Sequence, residues 1–286
     1  MLSTNYSLTA EIGRQSALES QIAQLQTNIS SGVQVHVASD DPLAAARIAT
    51  IGRQQADETV YAGNVKVAQA TISQVDTNLT GVQTSLNRAK ELMLQASNGT
   101  MSDSDRTAAI TTLQGIASDL STAASATDSS GNPLYVQGGA ATQIPIGKGT
   151  TVAAADSYDE VFGSVTLKDG STTSIAAVLA ASIAALQTSD STARATAVNS
   201  SLDALDASAD HISDAQTDVG VRETQLNNTA DALATSATNL TDERSGFEST
   251  DLTAAAATLS SKMTTLNAAQ SVLATLSKIS LFDKIS

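Results

Sequence analysis

Along most of this chain, apolar residues recur at alternating steps of four and three, the spacing that places them on one stripe of a helix. The first such stretch runs from Leu8 to Ile29. Leu8, Gln15, Ile22 and Ile29 share one heptad position, and Leu18 and Leu25 share the other, with Glu11 breaking the pattern. Gly32 supplies the stop. After a linker from Val33 to Ser39, Asp41 is placed to cap a new helix and Pro42 suits its first position. No proline follows until well beyond Asn98. An unbroken helix over this stretch would span roughly 80 Å at 1.5 Å per residue, with Gly52, Gly63 and Gly81 as places to bend. Its second half carries the stripe Ile72, Val75, Leu79, Val82, Leu86, Ala89, Met93 and Ala96.

Asn98-Gly99-Thr100 predicts an end, and Ser102 to Arg106 a fresh start. Ile110, Leu113, Ile116 and Leu120 then line a shorter helix, which so short a connection should fold back antiparallel. From about Thr127 to Asp190 the pattern changes. Here lie Pro133, Pro145 and many of the glycines. Leu134-Tyr135-Val136 reads as strand, Val161 to Leu167 alternates as a strand would, and Lys168-Asp169-Gly170-Ser171 reads as a hairpin turn. Gly138-Gly139 and Gly147-Lys148-Gly149 are further turn signals, and Ile175 to Leu186 predicts a short helix. From Arg194 a four–three lattice returns: Val198, Leu202, Leu205, Ala209, Ile212, Val219, Leu226, Ala230, Leu233, Ala237 and Leu240. A break is expected near Gly246 to Asp251, with Asp251 capping a last helix that carries Leu252, Ala256, Leu259, Met263, Leu266, Leu273 and Leu276, and ends near Phe282. The first and last helices have no partners nearby in sequence, so the simplest pairing sets them against each other.

The predicted fold is therefore mainly α: an elongated rod of long antiparallel helices, coiled-coil-like, built from both chain ends with a small α+β insert in the middle. The expected divisions are an N-terminal assembly helix and linker (1–39), two halves of a helical rod (40–129 and 191–250), a mixed insert (130–190) and a C-terminal assembly helix (251–286).

Composition sharpens this reading. Aromatics are 2% of the 286 residues and tryptophan is absent. The abundant alanine, serine and threonine fill narrow helix–helix interfaces well and thick globular cores poorly. A net charge of −14 argues against nucleic acid and a bare anionic membrane as partners. With no cysteine, disulfides and thiolate metal sites are excluded. Met1-Leu2-Ser3-Thr4-Asn5 lacks the basic and apolar segments of a cleaved signal, and no run is long enough to insert in a membrane.

Candidate chemistry is sparse. Asp203, Asp206, Asp210, Asp214 and Asp218 line one helix face. A cation needs carboxylates converging on one point, whereas helical spacing strings them out. A solvated face, partly neutralised by Arg88 or Lys90, is the plainer reading. His36 and His211 lack the partners of a metal or acid–base site, and no phosphate-binding loop or cofactor motif occurs. An enzyme is not indicated. Tyr135, Tyr158 and Phe162 would serve either as a sugar-stacking platform or as the core of the insert, the latter being the common use of aromatics.

Five segments, in order, resemble the flagellin superfamily: Ser30-Ser31-Gly32 with Ser39-Asp40-Asp41-Pro42-Leu43-Ala44-Ala45; Ala96-Ser97-Asn98-Gly99-Thr100 with Ser102-Asp103-Ser104-Asp105-Arg106; Leu113-Gln114-Gly115-Ile116; Asp128 to Gly139; and Ala269 to Phe282. The last is most similar to the FlgL-type hook-associated branch, which sits at the hook–filament junction. The likeness covers about three quarters of the chain. It implies a structural subunit of the extracellular flagellum, exported unfolded by the type III route without a cleaved signal. It further implies a homo-oligomer in a helical array, with the hook, flagellin and an export chaperone as partners and no cofactor. A filament-forming flagellin and a glycan-binding surface adhesin are the alternatives. The expected assembly interface is the pair of terminal stripes: Leu8, Ile22, Leu25 and Ile29 with Leu252, Leu259, Met263, Leu266, Leu273, Leu276 and Phe282. Helices this marginal would order on assembly, where neighbours bury them.

Overall fold

A computed structural model describes the backbone of residues 2–99 and 101–282, and the side chains of these except 2–8 and 276–282. Six α-helices are described: α1 (Leu2–Ser31), α2 (Pro42–Ser97), α3 (Asp103–Ala124), α4 (Ile175–Gln187), α5 (Ser191–Glu248) and α6 (Leu252–Phe282). Between α3 and α4 lie β1 (Gln143–Gly147), β2 (Thr150–Ala153), a π-helical turn (Asp159–Gly163), β3 (Val165–Thr166) and β4 (Thr172–Thr173). The chain divides into two compact units, one of residues 1–56 and 237–286, the other of 57–236. Helices α2 and α5 contribute to both.

The 57–236 unit is organised by the stripe read from sequence. Ile72, Val75, Leu79, Val82, Leu86, Ala89 and Met93 of α2 are all buried, as are Val198, Leu205, Ile212, Val219 and Leu226 of α5. Polar contacts fix these helices antiparallel: Lys90 pairs with Asp206, Gln216 Nε2 donates to Thr80 Oγ1 at 3.2 Å, and Gln69 Nε2 donates to Asn227 Oδ1 at 2.8 Å. Helix α2 runs unbroken through Gly52, Gly63 and Gly81, since no neighbouring side chain demands a bend there. It stops where Gly99 takes φ 68°. Ser102 then caps α3 in a reciprocal box, its side chain accepting from Asp105 N while Asp105 accepts from Ser102 N. Helix α3 returns along α2, with Asn78 Nδ2 donating to Ala123 O at 3.1 Å.

The middle segment departs from the sequence reading. Leu134-Tyr135-Val136 is not a strand. Leu134 and Tyr135 are plugs, buried in the same cluster as the α2 and α5 stripes. Val161 to Leu167 is also not one strand: Val161 and Phe162 turn inward on the π-helical turn, and only Val165–Thr166 pairs, with Thr172–Thr173. The alternation arises from a helical turn abutting a short strand, which a period of two cannot distinguish over so few residues. The Lys168 to Ser171 turn is present, with Gly170 at φ 84° and Leu167 N donating to Ser171 O. The β1–β2 hairpin, turning at Lys148-Gly149, was legible only as its turn. Tyr135 and Phe162 are buried and meet edge-on at 5.0 Å, while half-buried Tyr158 lies 5.6 Å from Phe162 at the edge of the cluster. Burial first, and the Asp156 charge second, push the Tyr135 phenol well above its usual value. It therefore stays neutral, and its hydroxyl donates to Asn78 Oδ1 at 3.0 Å.

In the other unit, α1 ends at Gly32, which takes φ 71°. Asp41 Oδ1 accepts from Leu43 N and Ala44 N at 3.0 and 2.9 Å, so cap and Pro42 start α2 as read. Helix α5 continues through Gly246 to Glu248. Asp251 caps α6, accepting from Thr253 N and Ala254 N at 3.0 Å. The two connections brace each other: Val33 bridges Ser249 antiparallel, Gln34 N donates to Glu248 O at 2.8 Å, and Thr250 N donates to Gly32 O at 2.9 Å. Helices α1 and α6 pack together, as the absence of other nearby partners required.

Leu86→Ala and Leu205→Ala, at positions shut off from water, should each lower stability by about 2–5 kcal/mol in urea titration. Ser102→Ala should cost about 1 kcal/mol through the lost cap. Exposed Val221→Ala should stay within about 0.5 kcal/mol.

Candidate assembly interface

The α1 stripe keeps its heptad. Ile22 is buried, and Glu11, Gln15, Leu18, Leu25 and Ile29 are half-buried against α6. On α6 the inward positions are Ala255, Leu259, Lys262, Leu266, Ala269 and Leu273, again in four–three order. Leu259, Leu266 and Leu273 are among the residues expected at an assembly interface. Leu252 and Met263 instead remain 53% and 46% exposed, and Ala256 is exposed beside them. The reason is geometric: residues 252, 256 and 263 lie on a flank turned away from the single partner α1, whereas 255, 262 and 269 lie on the side that meets it. Helix α6 thus carries apolar surface wider than one neighbour covers. The side chains of Leu8, Leu276 and Phe282, also expected at the interface, lie outside the described residues. Ala255, Lys262 and Ala269 escaped the sequence reading because two alanines and a lysine carry little apolar signal, although their spacing of seven was there to find.

Polarity on these helices is unusual in kind. Across α1 and α6 the charged residues are Glu11, Arg14, Glu19, Lys262 and Lys278. The rest of the polar surface is serine, threonine, asparagine and glutamine. Helix α5 contrasts sharply, with Asp203, Asp206, Asp210, Asp214 and Asp218 on one face. There Lys168 pairs with Asp203 and Lys90 with Asp206, while Arg88 pairs with Glu91 on its own helix rather than across to α5. Among the described residues no group of three or more ligating side chains could hold a metal. His211 Nε2 sits 2.8 Å from the carbonyl oxygen of Glu160, and His36 Nε2 lies 3.3 Å from Ser31 Oγ. Neither faces a second acid or base in these contacts. No described helix is long and apolar enough to cross a membrane.

The linker entering α2 is held by Asp40. Its Oδ2 accepts from His36 N and Val37 N at 2.9 and 3.1 Å. The Val37 amide, then the His36 amide, hold this carboxyl below its ordinary value.

Residues 2–137 match the model of the bacterial flagellin N-terminal helical region, and residues 202–283 match that of the flagellin C-terminal helical region. The chain is 33% identical over 186 residues to flagellar hook-associated protein 3 of Escherichia coli K12, spanning 56% of this chain and 58% of that one. It is 36% identical over 120 residues to the Salmonella typhimurium protein of the same name, spanning 42% and 37%. It therefore covers less than two thirds of either relative. Flagellar hook-associated protein 3 of Legionella pneumophila superposes with a TM-score of 0.60 at 16% identity, over 69% of this chain and 99% of that one.

Ile22→Ala should destabilise the α1–α6 pair, seen as faster amide exchange along both helices, whereas Leu252→Ala and Met263→Ala should leave exchange in the free chain unchanged. The Asp40 brace holds its proton less tightly folded than unfolded. It should therefore be intact above the ordinary carboxylate range and be lost as pH falls through that range to the lowered folded value. Amide exchange at His36 and Val37 across this window reads the loss.

Proposed function

Since the chain belongs to the flagellin family, we propose that it is a structural subunit of the bacterial flagellum at the hook–filament junction, assembling through α1 and α6. One observation carries this reading: the terminal helices combine half-covered apolar stripes with an almost charge-free surface. A surface meant for water carries charge, as α5 does. A surface that must lose water on assembly avoids it, because every unpaired charge taken from water is costly.

The interface comprises Ile22, Leu25, Ile29, Leu259, Leu266 and Leu273, partly shared within the α1–α6 pair, with Leu252 and Met263 free for neighbours. Each such side chain fully buried contributes about 1.5–3 kcal/mol, so completing the burial offsets the ordering of two helices that are marginal alone. The partners are copies of the same chain in a helical array, the hook below, flagellin above, and a chaperone that shields the sticky ends before export. Export through the flagellar channel as an unfolded chain suits a protein without cysteine, whose order is completed at its destination. The likeness in name and sequence to hook-associated protein 3 favours the junction over the filament. The burial of Tyr135 and Phe162, two of the three aromatics of the stacking platform, weighs against a glycan-binding role.

Deleting residues 1–32 or 251–286 should abolish retention on isolated flagella while leaving a soluble, helical monomer by circular dichroism. Complete unfolding of either truncated chain would sink the division into assembly helices and a self-sufficient remainder. Immunogold counting should find few copies, confined to the distal end of the hook. Long homopolymers grown from the purified chain would mark it instead as a filament protein.

A further inference from the structure

Among the described residues, the few charges on α1 and α6 do not all pair within one molecule. Glu11 and Arg14 form an ion pair at 2.8 Å. Glu19 is exposed, and no cation lies within ion-pair distance of it among the described residues. Lys262 has no carboxylate partner there either; its Nζ donates to the neutral Gln21 Oε1 at 2.7 Å. The two cannot readily meet in one chain. Residues two apart on a helix point about 200° apart, so Glu19 and Gln21 flank opposite edges of the Leu18–Ile22 stripe. Lys262 leans over the Gln21 edge, away from Glu19. Among the described side chains of these helices, one acid and one base are thus left over on surfaces otherwise made of alanine, serine, threonine and amides.

In water neither lone charge matters. When the proposed assembly removes that water, each needs a counter-charge, and a misaligned neighbour would leave both unpaired. We infer that Glu19 of one copy pairs with Lys262 of the adjacent copy, and that this pair sets the lateral register between subunits. The inference rests on the junction-subunit reading and specifies which residues meet. Arg14 is not the partner, being already held by Glu11. Gln21 keeps Lys262 extended at the edge of the stripe, with two of its three ammonium hydrogens still free to donate to an incoming carboxylate.

Charge reversal tests it. Glu19→Lys, Lys262→Glu and the double variant are expressed as full-length chains in place of the parent, and copies retained on isolated flagella are measured by immunoblot. Circular dichroism of each purified chain controls for folding. Each single reversal opposes like charges and should cut retention by at least about tenfold, and the double reversal should restore it to within about twofold. Because the chain has no cysteine, Glu19→Cys with Lys262→Cys gives a second reading that needs no reversed charge. A thiol-reactive linker applied to intact flagella should yield a ladder of joined copies that neither single cysteine gives. Parent-like retention of the single reversals, a double variant no better than either, or the absence of a ladder overturns the pairing. So does rescue of Glu19→Lys by Lys278→Glu in place of Lys262→Glu. A parent chain that is itself not retained on flagella overturns the structural role, and is told apart by that control.

Discussion

A helical stripe is stable only to the extent that something covers it, and this requirement governs both units of the chain. In the 57–236 unit the centre of each stripe is covered: Ile72 to Met93 of α2 and Val198 to Leu226 of α5 each contribute a buried row. The α2 and α5 stripes close over one another, α3 closes over α2, and Leu134, Tyr135 and Phe162 plug the same cluster from the middle segment. Several buried polar groups there are paired as well: the Tyr135 hydroxyl donates to Asn78 Oδ1, and Ser208 Oγ donates to Ala204 O at 2.8 Å. The middle segment is therefore not a decoration with a core of its own. Its apolar residues complete the helical core, which explains how two-residue strands, too short to stand alone, are held in place.

In the 1–56 and 237–286 unit the cover stops short. Helices α1 and α6 have each other, and their connections are braced by the Val33–Ser249 bridge. Yet one helix cannot wrap another, and Leu252, Met263 and Ile12 are left in solvent. In a monomer destined to remain one, such a flank would carry lysine and glutamate. Here it carries alanine, serine and threonine, side chains that neither resist dehydration strongly nor hold their neighbours at a distance.

That division of labour gives the proposed role a mechanical sense. The well-covered unit holds the larger buried core and presents the acidic face of α5. In the proposed assembly, the under-covered helices would be a reservoir of burial released beside other subunits. On that proposal, assembly would proceed where neighbours exist, with acidity holding unassembled chains apart. The leftover Glu19 and Lys262 fit the same scheme, because charges too few to prevent association are enough to decide how copies line up.

The periodic helices were legible because their signal is one-dimensional. The 72-to-93 stripe, the Asp41-Pro42 and Asp251 caps, the glycine stops at Gly32 and Gly99 and the pairing of the terminal helices all follow from local spacing and from what each stripe lacks. The flagellin likeness was legible for the same reason, since it resides in those segments. What the tertiary structure alone decided is where a stripe's edge falls and what covers it. Whether Ala255, Lys262 and Ala269 or Leu252, Ala256 and Met263 turn toward α1 depends on the rotation of α6 about its axis. Two overlapping seams that share Leu259, Leu266 and Leu273 make both choices compatible with the sequence. The fate of Leu134 to Val136 and Val161 to Leu167 was likewise undecided by pattern. Over segments of three and seven residues a buried turn and a strand look the same, and only the surface waiting to receive Tyr135 and Phe162 separates them.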